Sequence, residues 1–230
     1  MDTSDWSAVY RQLPKPNLSH FYKKSTDTDF LSWIQCPNRE ERALAYLWLS
    51  DLVSLEPEIR RAIAEAKAVK GSSITNNREA HHMPFRYHAD NACYRIFALL
   101  DKVGQLLNAY LDLKVERPSF KTVIQAVRKR SEIAALYSMQ PFLAIDDSEW
   151  YKALSEYRHS LSHRLGPIGQ NQTSLLGLLK GVRRYLEFEP IGYTIDQLDK
   201  LISDGHERVV VIIQSCETFL ATTTGSPQAR

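Results

Sequence analysis

The chain has 230 residues, 43% of them hydrophobic, with 29 Lys plus Arg against 27 Asp plus Glu and a sequence pI near 8.4; this suffices for the core of one generous domain and leaves bulk charge no argument for or against nucleic acid, which a local basic patch can grip. Cys36, Cys93 and Cys216 are odd in number, far apart and without CxxC spacing, which excludes a disulfide framework or zinc ribbon and makes them buried small hydrophobes in a reducing cytosol. No apolar run approaches the ~20 residues of a membrane span, and the start MDTSDWSAVYRQ lacks the basic and apolar regions of a secretory signal, so the expected location is cytoplasmic.

Residues 1–37, with Pro14, Pro16 and scattered Ser, Thr and Asp, show no sustained period and read as an arm whose Trp6, Phe21, Phe30 and Trp33 dock on the core. Asn38 followed by Glu41 is an N-cap with its reciprocal acid, and Leu44, Leu47, Trp48 and Leu52 then recur at helical spacing. Pro57, at a first-turn position, starts or kinks a second stretch with Ile59, Ala62, Ile63 and Ala66 on one side, ending near Gly71. Residues 72–84, SSITNNREAHHMP, read as a polar loop. In the long helix that follows, Cys93, Ile96, Phe97, Leu100, Val103, Leu107, Tyr110 and Leu111 keep the period of a central bundle helix.

After Pro118 and Ser119, the residues Phe120, Val123, Ile124 and Val127 open another helix, which carries Arg128, Lys129 and Arg130. Asp146, Asp147, Ser148 and Glu149 supply caps and dipole-compatible charge for a helix running to about Leu165. Between residues 166 and 193, glycines, prolines and the alternation of YLEFEP point to a short hairpin or extended segment. Thr194 and Gln197 form a capping box for a last helix with Leu198, Leu201, Ile202, Val209, Ile212, Ile213, Cys216, Phe219 and Leu220 on one stripe. The run VVVII within it has strand propensity, but its flanks keep helical period. The expectation is an all-α antiparallel bundle: an arm at 1–37, a helical domain at 38–221 and a disordered tail at 222–230.

The stretch from Tyr157 to Gly166 is YRHSLSHRLG. At 100° per residue, Trp150, Ala153, Leu154, Tyr157, Leu161 and Leu165 gather on one face, while Lys152, Glu156, His159 and His163 lie opposite. Arg158 falls about 140° around the helix from His163, so one helix does not easily aim both at one atom. A two-fold dimer through the polar face would bring Arg158 and His163 of two chains into one cleft. The residue types suit phosphodiester chemistry. An imidazole with an ordinary pKa near 6.5 moves protons at neutral pH, and a guanidinium binds phosphate oxygens bidentately and favours the charge of a five-coordinate transition state. With RNA, the substrate's 2′-OH is the nucleophile, and neither metal nor cofactor is required.

An Arg with a His five to seven positions on arises by chance about once or twice in such a chain, but the i+5 spacing with Asn, Asp or His directly after the Arg lowers this to roughly 0.1. RHSLSH resembles the R-[N/D/H]-x-x-x-H signature of the HEPN superfamily, all-α bundles that commonly dimerise and often act as metal-independent ribonucleases in toxin-antitoxin, phage-defence and RNA-processing systems. The likeness extends more loosely to the helical order of residues 38–220. It implies that Arg158 holds and polarises the scissile phosphate, that His163 is the general acid/base and that His159 orients or supports them. It also implies RNA as partner, a homodimer and an antitoxin or regulatory protein, with no DNA specificity. Lys152, Ser162 and Arg164 on the same helix are candidates for RNA contact. Leu165 stands where some toxin members carry a Tyr modified by a nucleotidyltransferase antitoxin.

Each of these residues has a plainer reading. Arg158, His159 and His163 could form a solvated polar face or a dimer-interface salt-bridge network, making the chain a non-catalytic dimerisation or binding module. His81, His82 and His88 with Glu79 and Asp90 lack ligand geometry and read as loop. His206 reads as a packed core or interface histidine. Arg128, Lys129, Arg130, Arg183 and Arg184 are solvated surface or an RNA track. Asp101, beside the apolar stripe, is a candidate partner for an Arg inside the bundle, including Arg158.

Overall fold

Two helices of 33 residues, α2 (Arg39–Gly71) and α3 (Arg78–Tyr110), form the spine. The computed structural model describes residues 6–21, 31–35, 39–71, 78–170 and 193–223, apart from the side chains of 78–83, 160 and 162–170. Asn38, Phe30, Cys36, Arg183, Arg184 and the 171–192 part of the expected hairpin lie outside the described residues.

α2 and α3 run antiparallel. Their seam carries two ion pairs, Asp51 with Lys102 and Glu58 with Arg95, and a third polar contact, Glu65 with His88, each rung seven residues from the next on both helices. Seven residues return a helix to nearly the same face, so the rungs line one edge and the core lies behind them. The buried side of α2 combines Ala45, Ala62 and Ala66 with Leu49, Leu52, Ile59 and Ile63. Leu44 and Leu47, expected in the core, are instead 51% and 61% exposed. Small alanines let α3 approach closely, so the largest apolar residues of the first turns are not the buried ones.

Two prolines lie within helices. Pro57 lies inside α2, on its exposed side, and does not start a helix. A proline leaves the carbonyl four residues back without its N–H partner, and on the wet side of a helix water takes that place. The expected loop at 72–84 is shorter than thought, because α3 begins at Arg78 and passes through Pro84, also exposed. From Ala89 to Leu107 the α3 stripe is buried as its period requires.

α4 (Phe120–Arg128) starts on a full capping box between Ser119 and Thr122. It crosses α3 at Gly104, where a Cβ would stand 2.8 Å from the Phe120 nitrogen, so only glycine permits the approach. Lys129 and Arg130 fall beyond α4, as its C-cap and as the N-cap of α5 (Ser131–Ala134). A 3₁₀ turn (Tyr137–Met139) leads into α6 (Gln140–Asp146), then α7 (Glu149–Gln170) and α8 (Ile195–Thr222). The α8 capping box is present, with Gln197 N–H donating to Thr194 Oγ1 at 3.2 Å, and VVVII is helical. The fold is an all-α bundle, and among the described residues there is no strand and no helix long and apolar enough to cross a membrane.

The segment read as an irregular arm contains a helix, α1 (Trp6–Gln12). Beyond it Leu18, Leu31 and Ile34 are buried, Phe21 stacks on Tyr46, and Trp33 packs against the core. Trp6 meets Tyr10 edge-on instead. The buried Glu217 carboxylate on α8 accepts the N–H groups of Ser19, His20 and Phe21 at 2.7–3.1 Å. Thr222 closes α8, and the Thr223 carbonyl accepts the Tyr110 hydroxyl.

Candidate active site on helix α7

Ser148 directly precedes α7, and its hydroxyl oxygen accepts the Tyr151 N–H at 3.2 Å. Asp146 and Asp147 are not its caps. Asp147 closes α6, and the two carboxylates receive the Arg128 guanidinium at 3.3 and 2.7 Å. Arg128 thereby has acidic partners of its own.

The inner face is buried where periodicity placed it, through Trp150, Leu154, Tyr157 and Leu161. Trp150 Nε1 donates to the Leu201 carbonyl at 3.0 Å, fixing the first turn against α8. Tyr157 is fully buried, donates a short hydrogen bond to Asp90 on α3, and meets the Tyr193 ring edge-on at 5.2 Å. This contact lies one residue before the motif and sets the register of α7 on α3.

Arg158 is half-buried, with its Cζ 4.0 Å from the Phe97 ring centroid. Phe97 stacks in turn on Tyr151. A guanidinium over an aromatic face is attracted by the ring quadrupole, about 0.5–2 kcal/mol depending on desolvation, so α3 supplies a platform for Arg158. Burial first, then the Asp146 and Asp101 carboxylates, push the Tyr151 hydroxyl up to about 12 against the opposing pull of Ser155 and Arg158. Tyr151 therefore stays protonated at neutral pH and is no candidate base. Burial also raises the Cys93 and Cys216 thiols, which makes them poor nucleophiles.

His159 is exposed. Ser162, His163 and Arg164 continue the α7 backbone, which runs past the Gly166–Pro167 pair expected to stop it and ends at Gln170; their side chains lie outside the described residues. The unbroken helix keeps Arg158 and His163 about 140° apart while His159 and His163 are near neighbours. One chain thus brings the two histidine positions together and sets Arg158 on the α3 flank. Lys152 is exposed with its ammonium 2.7 Å from Glu149.

Other candidates separate from this site. Asp101 accepts the Phe120 N–H at 3.3 Å, closing the α3–α4 crossing. His88 Nδ1 stands 3.1 Å from Glu65 without hydrogen-bond alignment, and the side chains of Glu79, His81 and His82 are outside the described residues. His206 is 1% exposed and packed, with Nε2 3.3 Å from Glu56. The sequence reading missed Asp90, Phe97 and Tyr157 as supports of the motif. Asp90 was the legible one, a lone carboxylate three residues before Cys93 on the apolar stripe of α3.

The Cthe2314-like HEPN family model matches residues 50–221, most of the chain. This chain belongs to the HEPN superfamily. Comparison with curated proteins and with solved structures returns no match. The HEPN match begins within α2 and ends within α8, so it contains the motif helix and its α3 platform, while α1 and the residues leading to α2 precede it.

Proposed function

We propose that this HEPN protein is a metal-independent endoribonuclease whose cleft is completed by a second copy of the chain. One observation carries the reading: the inner side of α7 is packed through Trp150, Leu154, Tyr157 and Leu161, half-buried Arg158 and exposed His159 lie off it, and the helix backbone continues unbroken through position 163. A polar motif held against water by a rigid element, in the spacing of the HEPN signature, favours chemistry over packing. In the reaction a neutral imidazole takes the 2′-OH proton and the 2′-oxygen attacks the adjacent phosphorus. The P–O5′ bond breaks and an imidazolium returns a proton to the 5′-oxygen, leaving a cyclic phosphate and a 5′-hydroxyl. His163 carries the proton transfer, Arg158 clamps the non-bridging oxygens, and His159 supports them. The 140° separation is the reason for a two-chain cleft.

The test is cleavage of a fluorescent single-stranded RNA in excess EDTA. Arg158→Ala and His163→Ala should each lower the rate by about 10²–10⁴-fold, with helicity and mass in solution unchanged. Unchanged cleavage by both variants overturns the reading, and a chain monomeric at micromolar concentration with and without RNA removes the composite cleft.

The seat of Arg158 on Phe97 favours a second reading, a non-catalytic module in which that cation is structural. Absence of cleavage together with destabilisation by Arg158→Ala would support it. Growth arrest on expression, relieved by the Arg158/His163 double variant, would assign the nuclease a toxin's role.

A further inference from the structure

We infer that the groove between α2 and α3 binds unpaired nucleobases and leads single-stranded RNA to α7. This rests on the ribonuclease reading and adds what Arg158 and His163 do not supply, a source of base preference.

The groove, of about 340 Å³, is walled by Glu58, Arg61 and Glu65 from α2 and by Tyr87, Asn91 and Arg95 from α3. That volume falls at the lower end of the roughly 300–1,000 Å³ of small-molecule sites, enough for one base-sized group. Tyr87 is 70% exposed, and Tyr94, 41% exposed, lies seven residues along the same face of α3, about 10 Å away. A tyrosine ring presents a large flat surface at low entropic cost, which is what a base needs for stacking.

The charges select bases over phosphates. Arg95 is held by Glu58, and Arg61 pairs with Glu65 at 2.9 Å, so the arginines come with their own anions and a phosphate chain gains little there. Arg61 also lies over the Trp6 ring at 5.2 Å, which holds that cation further in place. Arg95 Nε donates to Asn91 Oδ1 at 2.9 Å, which fixes the amide and turns its chemistry toward donation from Nδ2, suited to acceptors on a base edge. Continuity with the motif is covalent: Phe97, the platform under Arg158, follows Tyr94 by three residues on α3. A strand stacked on Tyr87 and then Tyr94 arrives at the residue proposed to hold the scissile phosphate.

The experiment measures binding of a fluorescent single-stranded RNA by anisotropy in the His163→Ala background, across a salt series. Tyr87→Ala should weaken binding by about fivefold or more, Tyr87→Ala/Tyr94→Ala further, and Tyr87→Phe by less than about twofold, since stacking survives in the last. The salt slope should stay that of the parent, because no phosphate contact is lost. Unchanged affinity in the double variant overturns the proposal, as does a parent that binds no RNA, and a loss accompanied by a shallower salt slope reassigns the groove to phosphate and overturns it too. If wild type cuts nothing while binding still depends on Tyr87, the nuclease reading fails and the groove stands.

Discussion

Glu56 and Glu58 are separated by one proline on the same helix and meet opposite fates. Glu56 is 3% exposed and shares the interior with Arg60, whose Nε is 3.2 Å from its carboxylate, and with His206 at 3.3 Å. Arg60 also donates to the Tyr10 hydroxyl at 2.8 Å and lies over that ring, which ties α1 to the bundle. Glu58 stands in the solvent-facing ladder beside Arg95. Two residues of helix turn a side chain by about 200°, and that rotation alone divides a buried charge cluster from a surface rung. Removing a partner should therefore cost very different amounts on the two sides.

The buried side gives the largest effect. Glu56→Ala leaves Arg60 in the interior without its carboxylate and should destabilise the protein by about 3–5 kcal/mol in urea unfolding. Replacing Glu56, Arg60 and His206 together by apolar residues of similar volume should be near neutral or stabilising, because their shared desolvation cost disappears with them. A loss from Glu56→Ala no larger than that of a surface pair would break the contrast. Arg60 Nη1 and His206 Nδ1 lack hydrogen-bond partners among the described protein groups, which marks the cluster as a costly one.

An intermediate case sharpens it. Tyr157 is fully buried but its acceptor Asp90 is only half-buried, and the bond joins α7 to α3 next to Arg158. Tyr157→Phe keeps the ring and deletes the hydroxyl, so the expected loss is about 1–2 kcal/mol. Because this bond sets the register of the motif helix, cleavage should fall as well while RNA affinity through Tyr87 is unchanged. A stability loss with full cleavage would show that the register does not depend on it.

The same two faces explain what could be read from the sequence. The α3 and α8 stripes and the inner face of α7 were legible because each is a local pattern repeated over several turns, and the Thr194–Gln197 capping box because its two residues stand at a fixed spacing. The RHSLSH motif was legible because its residue types are rare in that spacing. Leu44 and Leu47 were misassigned because apolar size is not burial: the packing of α3 chose Ala45 and Leu49 instead. Pro57 was read as a start or a kink, and Pro84 as loop, because the sequence does not say which side of a helix faces water. Glu56 and Glu58 are alike for the same reason, since the identity of the partners, Arg60 and His206 against Arg95, is fixed only when three helices come together. The platform under Arg158 escaped because Phe97 looked like one more core residue of α3.

The smallest effect belongs to the ladder itself. Lys102 Nζ and Asp51 Oδ2 are 2.7 Å apart, but the side chains are 32% and 57% exposed, so water competes for both. A double-mutant cycle with Lys102→Ala and Asp51→Ala should give a coupling of about 0.2–1 kcal/mol that fades at high salt. Two of the three rungs border the α2–α3 groove, and weak coupling means that Glu58 and Arg95 can rearrange around a bound base at little cost to the fold. A coupling above 2 kcal/mol, kept in ~1 M salt, would mean that the ladder holds α2 against α3. In that case its charges would be structural in the sense that Glu56 is, and the groove they line would be rigid.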